Sequence, residues 1–414
     1  MKVQVNHLQL EREVELRGTV EQIVTDLRID LTESYRAAEH QHYELVQHAF
    51  DVSGLPDVAA LIETVTGRIN TAVQVQIFVT QMPVAQAATF ARGYFGKDSS
   101  TDRAVVIVSQ HFFNDLEFDE QVAVLGHELG HIVFGHGRLP VNALLKASDR
   151  AIDELRPILS EYSTCCEVSC DLVAAVATQG EWLPVASSLI RMQTGLSQSF
   201  IDSNRGLTVV LDALQAQLEA VHLNPLEAQM GTHPITPARL EMLRNFAGNN
   251  LVRAYGRELS PDIITEARAE LGKQFRSIIG SIYWPSLDSS ELPESHRAIL
   301  GRLAIAVALA DGRLEPNGAE ARVLSTLLGR DLIRQVLTSK RDVDALLAEA
   351  GQMALEERLA TSDAVRLVRY AAVVAAADGL DPLELKALHT FGSAFDMSAE
   401  LIAAIAQQTP RATG

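Results

Sequence analysis

The sequence is poor in several features that mark particular classes of protein. Only 5% of its 414 residues are aromatic, and three are cysteine. Cys165, Cys166 and Cys170 lie in one short stretch, too few and too close together for a disulfide framework. Basic residues are outnumbered by acidic ones. The net charge of -18 argues against a nucleic-acid-binding protein, which needs a basic face to neutralise phosphates.

Long hydrophobic runs are also missing. The longest, at residues 303–310 and 371–377, are far shorter than the ~20 residues that span a bilayer. The segment after Met1 has no apolar core of the kind found in secretory signal peptides. We therefore expect a soluble, cytoplasmic protein. A hydrophobic content of 47%, rich in alanine and leucine, predicts packed and largely helical domains.

The motif HELGH at residues 127–131 lies in a stretch with the apolar spacing of a buried helix. Acidic residues at 119 and 120 are typical of a helix N-terminus, and Gly137 is the predicted C-cap. Residues four apart share one face of a helix, so His127 and His131 can reach one metal ion with Glu128 beside them. This predicts a hydrolytic zinc site with Glu128 as the base, although a lone HExxH match also arises by chance.

A catalytic zinc ion usually has three protein ligands, so one more must be found. Glu167 is the candidate, and Asp171 lies one turn later on the same face of a helix predicted to begin after Pro157 and to end at Gly180. One carboxylate would bind the metal and the other would accept the N–H of a ligand histidine. A solvated helix face is the alternative. His136 is predicted to lie on a different face of its helix from His131.

The cysteines are rivals for the metal. Cys166 and Cys170 are also four residues apart, and a thiolate binds zinc well. In deformylase-type sites the cysteine motif precedes the HExxH helix, whereas here it follows. We therefore expect small buried thiols packed near the site.

Two segments before the motif predict β-strands. Residues 72–81 and 103–110 are short, apolar and rich in β-branched side chains. An exposed strand edge beside a metal can bind an extended peptide, although an ordinary sheet in an α+β domain explains the pattern equally. Residues 1–70 are predicted to be helical and polar, with His40, His42 and His48 solvated.

Three motifs together resemble the gluzincin peptidases that include the CAAX prenyl endopeptidases and HtpX. They are HExxH at 127–131, ExxxD at 167–171, and Thr-His-Pro at 232–234 followed by Arg239. The resemblance covers roughly residues 70–245. Many relatives are membrane-embedded, but this sequence has no spanning segment, so no membrane or prenylated substrate is implied. Two departures are Cys170, where alanine is usual, and residues 88–90, where the family has asparagine-alanine-aromatic.

The resemblance implies a role for each matching residue. His127, His131 and Glu167 would bind Zn2+, and Glu128 would be the base. Asp171 would not bind the metal itself but would hydrogen-bond to one of its ligands. His233 would be catalytic by stabilising the oxyanion, while Arg239 would hold the His233 loop near the acidic helix.

The C-terminal third predicts an all-helical unit. Residues 304–317 and 371–383 repeat each other about 67 positions apart, each an alanine-rich helix ending in Ala-Asp-Gly. Gly312 and Gly379 suit C-caps. The region 295–407 resembles a TerB-like tellurite-resistance domain, which implies an interaction module and a protein partner. Its turn acids, Asp311, Glu315, Asp378 and Asp381, are candidate cation ligands, with capped turns and surface acids as the favoured explanation.

These patterns predict an α+β, mainly helical protein with a gluzincin metallopeptidase domain, a small sheet and an all-α C-terminal domain. The predicted segments are 1–70, 71–245, a connector at 246–294, and 295–407. The predicted function is a soluble zinc endopeptidase acting on a protein or peptide. The alternative is a non-proteolytic, stress-related interaction protein that uses zinc to stabilise a peptidase-like scaffold.

Overall fold

The computed structural model describes residues 2–26, 31–81, 87–91, 103–139, 150–194, 236–246, 249–275, 292–312, 314–315, 318–337, 342–359 and 361–408, with a few single residues between them. These residues form many helices and one small four-stranded sheet. The predicted α+β, mainly helical class is therefore confirmed.

The chain divides into two compact units. The first comprises residues 1–21, 28–147 and 157–282, and the second comprises residues 22–27, 148–156 and 283–414. The finer division into four segments stays a prediction. Within the described residues, no helix combines the length and the apolar character needed to cross a membrane.

The N-terminal part of the first unit is helical, in line with the sequence pattern. A 3-10 turn at Val5–His7 precedes α1 (Glu11–Asp26), α2 (Thr32–Gln47) and α3 (Pro56–Ile69). α3 begins with proline at its first position, where the missing N–H costs nothing, and ends at Asn70 in the left-handed region. His40 and His48 are exposed, as expected, whereas the side chain of His42 lies outside the described set.

The sheet contains β1 (Phe50–Asp51), β2 (Gln74–Thr80), β3 (Ala87–Ala91) and β4 (Arg103–Ser109), in the order β1-β2-β4-β3. β2 and β4 are the two predicted strands, and they pair in parallel with Ile77 opposite Val106. β3 runs antiparallel to β4 and forms the outer edge among the described strands. Residues 88–90, which depart from the family pattern, lie within β3 itself.

The HELGH motif lies on α5 (Phe118–Val133), which follows the short α4 (Gln110–Asp115). Glu117 and Glu120 form a capping box at its N-terminus. The predicted C-cap at Gly137 was wrong. The helix ends at Val133 because Gly135 adopts a positive φ of 66°, and residues 136–138 turn back as a 3-10 helix.

The next helix, α6 (Arg150–Ala177), carries Glu167 and Asp171. The predicted break at Pro157 was wrong, since α6 continues through it. Gly180 has a φ of 89°, as expected just after a helix end. A Cβ added to Gly130 would lie 3.0 Å from Cα of Cys170, so glycine permits α5 and α6 to pack closely.

Two further helices contribute contacts to α5. α7 (Trp182–Thr194) carries Arg191, whose guanidinium pairs with the buried Glu120 at 2.5 Å. α8 (Thr236–Phe246) adds Leu240 and Leu243 to a core cluster with Ala123 of α5. α9 (Asn250–Arg253) and α10 (Pro261–Phe275) complete the described helices of this unit.

The second unit is all-helical in its described part. Its helices are α11 (Glu294–Leu309), α12 (Ala319–Leu328), α13 (Arg330–Leu337), α14 (Val343–Glu356), α15 (Thr361–Ala375), α16 (Pro382–Ser393) and α17 (Ala399–Gln408). Gly312 and Gly379 both have positive φ, as the repeated Ala-Asp-Gly turns predict. Asp381 caps α16 and forms a capping box with Glu384. Most of the predicted linker at 283–294 lies outside the described residues.

Candidate metal centre

His127 and His131 lie one turn apart on α5, with ring centroids 5.0 Å apart. Both rings face the carboxylate of Glu167 on α6. Nε2 of His127 lies 3.4 Å from Oε2, and Nε2 of His131 lies 3.6 Å from Oε1. The structure thus brings together the three side chains that the sequence nominates as ligands.

These separations fit a tetrahedral zinc ion. Zinc binds histidine nitrogen and carboxylate oxygen at about 2.0–2.1 Å, and two such ligands at a tetrahedral angle lie about 3.3 Å apart. The measured distances of 3.4 and 3.6 Å are close to this edge length. Two imidazoles and one carboxylate are also a usual ligand set for catalytic zinc.

Asp171 and Arg239 hold this group from behind. Oδ1 of Asp171 lies 2.9 Å from Nδ1 of His127, which leaves Nε2 directed at Glu167. Arg239 donates from Nε and Nη2 to the two oxygens of Asp171, and its Nη1 lies 3.2 Å from Oε2 of Glu167. One guanidinium therefore balances two buried carboxylates that would otherwise repel each other.

Glu128 lies beside the histidines and is 7% exposed. Burial raises the pKa of its carboxyl to about 7, with a further contribution from Glu167, against the lowering effect of His127 and Arg239. A carboxyl group that titrates near neutrality is suited to accept and return a proton.

The two histidines differ in basicity when no metal is bound. Burial opposes a charge on both, but hydrogen bonds to Asp171 and Glu167 raise the pKa of His127 to about 10. Burial lowers the pKa of His131 to about 3. Burial also acts against the charge of Glu167, but Arg239 and the histidines hold its pKa well below the usual range.

Residues 57–247 match Peptidase family M48. The matched region contains strands β2 to β4, the HELGH helix, Glu167, Asp171 and Arg239, and a member of this family is a zinc-dependent metalloprotease. The match supports the resemblance to zinc metallopeptidases that the motifs indicate. No curated protein and no solved structure matches the chain.

The M48 match does not reach residue 13, yet Glu13 and His136 extend the polar network of the site. Nδ1 of His136 lies 2.8 Å from Nδ1 of His131, and Nε2 of His136 lies 3.0 Å from Oε1 of Glu13. The helix-face argument misplaced His136 because α5 ends before it. The available signal in the sequence was Gly135 itself, because a glycine shortly after the helix can adopt the positive φ that turns the chain back.

The cysteines are free and buried, as predicted. Sγ of Cys170 lies within 4.8 Å of a ring nitrogen of His127 and of His131, so its position also allows it to be the third ligand in place of Glu167. A second group, Glu13, His136 and Cys166, meets the same distance limit. Burial raises the pKa of all three thiols well above the usual range.

One predicted catalytic residue cannot be placed. His233 lies outside the described residues, and its role as an oxyanion donor stays a prediction. Arg239 was expected to hold the His233 loop near the acidic helix. The structure describes only the contacts of Arg239 with that helix, α6, where it pairs with Asp171 and Glu167.

Proposed function

We propose that this protein is a zinc-dependent endopeptidase in which His127, His131 and Glu167 hold the metal and Glu128 is the general base. One observation carries the proposal. The two Nε2 atoms each lie about one tetrahedral edge from a different oxygen of Glu167, at 3.4 and 3.6 Å, with Glu128 on the same helical turn. The M48 match over this region supports a metallopeptidase.

Glu167 is the proposed third ligand in preference to Cys170. A metal ligand must be a thiolate, and burial beside Glu167 raises the pKa of the Cys170 thiol well above the usual range. Glu167 is already ionised, and its side chain is 14% exposed whereas Cys170 is fully buried. Cys170 instead fills the space opposite Gly130, where α5 and α6 meet.

Zinc at such a site polarises the substrate carbonyl and makes water a nucleophile at neutral pH. In the proposed mechanism, Glu128 accepts the proton of the attacking water and delivers it to the leaving amine. In the metal-free protein, burial raises the pKa of this carboxyl group to about 7. Asp171 keeps the Nδ1 proton of His127 engaged, so that Nε2 presents its lone pair to the metal. His233 is proposed to stabilise the oxyanion.

We further propose that an extended peptide is bound at β3. This strand is the outer edge of the described sheet and packs against α5, which carries the HELGH motif. Its outer backbone groups can pair with a substrate strand, a common mode of peptide recognition. The region 295–407 is proposed to bind a protein partner, and the cytoplasm is the proposed location.

The test is metal content measured together with peptidase activity, on wild type, Glu128→Gln and a matched control, Glu63→Gln, which changes an exposed residue of α3. We expect one zinc per chain in all three, with casein or a peptide library cut by wild type and control. Glu128→Gln should lose about 10²–10⁴-fold in rate.

Other outcomes are equally informative. Zinc in every variant with no cleavage by any of them would favour the scaffold alternative. No zinc in the wild type would overturn the ligand assignment. Full activity of zinc-loaded Glu128→Gln would overturn the role of Glu128.

A further inference from the structure

Glu13, His136 and His131 form one chain of hydrogen bonds. His131 Nδ1 and His136 Nδ1 are 2.8 Å apart, and His136 Nε2 and Glu13 Oε1 are 3.0 Å apart. Glu13 is fully buried and His136 is 8% exposed, so water does not compete for these contacts. These hydrogen bonds connect α1 to the second histidine of the HELGH motif.

The positions of the protons follow from the donors and acceptors available. An ionised carboxylate can only accept, so Nε2 of His136 donates to Glu13. A neutral imidazole carries one N–H, and Nδ1 of His136 is therefore an acceptor. The proton in the 2.8 Å contact must then belong to Nδ1 of His131. Nε2 of His131, the atom that faces Glu167, then carries no proton.

Arg17 favours this direction of the hydrogen bonds. Its Nη2 lies 3.0 Å from Oε1 of Glu13, so an arginine cation balances the negative charge of this carboxylate. Burial opposes the charge of Glu13, yet hydrogen bonds from His136, Ser169 and Gln9 hold its pKa below the usual value. Arg17 also donates to the carbonyl of Phe134 at 2.9 Å, which ties α1 to the end of α5.

The other histidine of the motif, His127, also has a hydrogen-bond partner at its Nδ1 atom. Oδ1 of Asp171 lies 2.9 Å from Nδ1 of His127 and leaves Nε2 of that ring for the metal. An acceptor on the outer nitrogen of a ligand histidine fixes its tautomer and ring orientation, and its loss typically costs about 10–100-fold in metal affinity.

We propose that Glu13 and His136 are positioning residues that fix His131 in the Nδ1–H tautomer and so hold the orientation of its ring, as the contact of Asp171 with Nδ1 holds the ring of His127. This inference rests on the proposed zinc site for its functional consequence. The tautomer itself is a property of the metal-free protein and can be measured whether or not zinc binds.

The first experiment uses metal-free wild type with ¹⁵N-labelled histidine. The resonances of His131 are identified by their loss in His131→Gln. We expect Nδ1 to carry the proton and Nε2 to be unprotonated. A proton found on Nε2 of His131 would overturn the proposal, because His136 would then be the donor.

The second experiment measures zinc affinity by competition with a chromophoric chelator. His136→Leu removes the acceptor, and we expect about 10–100-fold weaker binding. Glu13→Gln keeps the shape and a weaker acceptor, and a loss of a few-fold is expected. The matched control is His111→Gln, which removes a half-exposed histidine 2.7 Å from Asp115 and should change the affinity less than twofold.

The outcomes separate the two proposals. Wild-type affinity in folded His136→Leu would overturn the positioning role, and if that variant does not fold, wild-type affinity in Glu13→Gln would do so. If the wild type binds no zinc, the proposed function fails while the tautomer measurement still decides the hydrogen-bond chain.

Discussion

Arg239 donates to both oxygens of Asp171, from Nε to Oδ2 at 2.8 Å and from Nη2 to Oδ1 at 2.6 Å. The same guanidinium lies 3.2 Å from Glu167, so one buried cation neutralises two carboxylates of α6. We expect Arg239→Met to destabilise the metal-free protein by about 3–5 kcal/mol, the usual cost of leaving a buried charge unpaired. Added zinc should restore part of this loss because it supplies a cation at Glu167.

Denaturant unfolding with and without zinc tests this prediction. Arg36→Met, which changes an exposed residue of α2, is the control and should be nearly neutral. An equal loss of stability in both metal states would contradict the charge-balance explanation and indicate lost packing instead.

A second prediction concerns the contact between α5 and α6. A Cβ on Gly126 would lie 2.7 Å from Cβ of Ala177 and 3.2 Å from Cα of Ala174, so the two helices would have to separate. Gly126→Ala should cost about 1–3 kcal/mol, the range for overpacking a core. Gly67→Ala on α3 meets nothing within 4 Å and should instead stabilise by about 0.5–1 kcal/mol. Chemical denaturation of both variants gives the comparison, and similar effects would contradict the close packing.

Zinc binding should release protons. Hydrogen bonds to Asp171 and Glu167 overcome burial and raise the pKa of His127 to about 10, so this ring is protonated in the metal-free protein at neutral pH. Its Nε2 must lose that proton to bind a metal. We expect about one proton released per zinc between pH 7 and 8, and an affinity that falls as the pH falls. Calorimetry in buffers of different ionisation enthalpy measures the number, and zero release would contradict the protonated state of His127.

The fourth prediction concerns a pair of buried acids in the second unit. Glu320 of α12 is 4% exposed and Glu384 of α16 is 2% exposed. Burial, a hydrogen bond between the two and the charges of Asp378 and Asp311 raise the pKa of Glu320 well above the usual value. The folded state then holds a proton that the unfolded state has lost. Stability should therefore fall as the pH rises from the unfolded pKa near 4.5 towards the folded pKa.

Thermal unfolding between pH 5 and pH 9 tests this. Glu320→Gln cannot ionise, so it should be more stable than wild type at pH 8 and lose less stability between pH 5 and pH 8. Glu357→Gln, at an exposed position of the same unit, should follow the wild-type profile. A wild-type profile that rises with pH would show that both acids are ionised in the folded state.

The sequence was informative wherever the chemistry depends on neighbours in the chain. His127 and His131, and likewise Glu167 and Asp171, are four residues apart, and a helix alone brings each pair to one face. Glu13 could not be found in this way. It reaches His136 across 123 residues, and nothing local to α1 specifies which face it packs against.

Strand β3 and residue His136 were missed for other physical reasons. The five residues of β3 include three alanines, which have weak β-propensity, and the strand forms through its pairing with β4. The position of His136 depends on where α5 ends. The end of this helix is set by the left-handed backbone conformation of Gly135, which the helical spacing of the apolar residues does not reveal.

The region that matches family M48 and the structure around the proposed metal site have different borders. The M48 match begins at residue 57, whereas α1 is bound to the end of the HELGH helix through Arg17 and to α6 through Arg12, 2.8 Å from Glu161. A fragment trimmed to the matched residues would keep every nominated metal ligand yet lose the carboxylate that faces His136. The residues that carry the family motifs are thus not the same set as the residues that support the proposed zinc site. An N-terminal cleavage after α1 would remove the contact of Glu13 with His136 and leave all three proposed metal ligands in place.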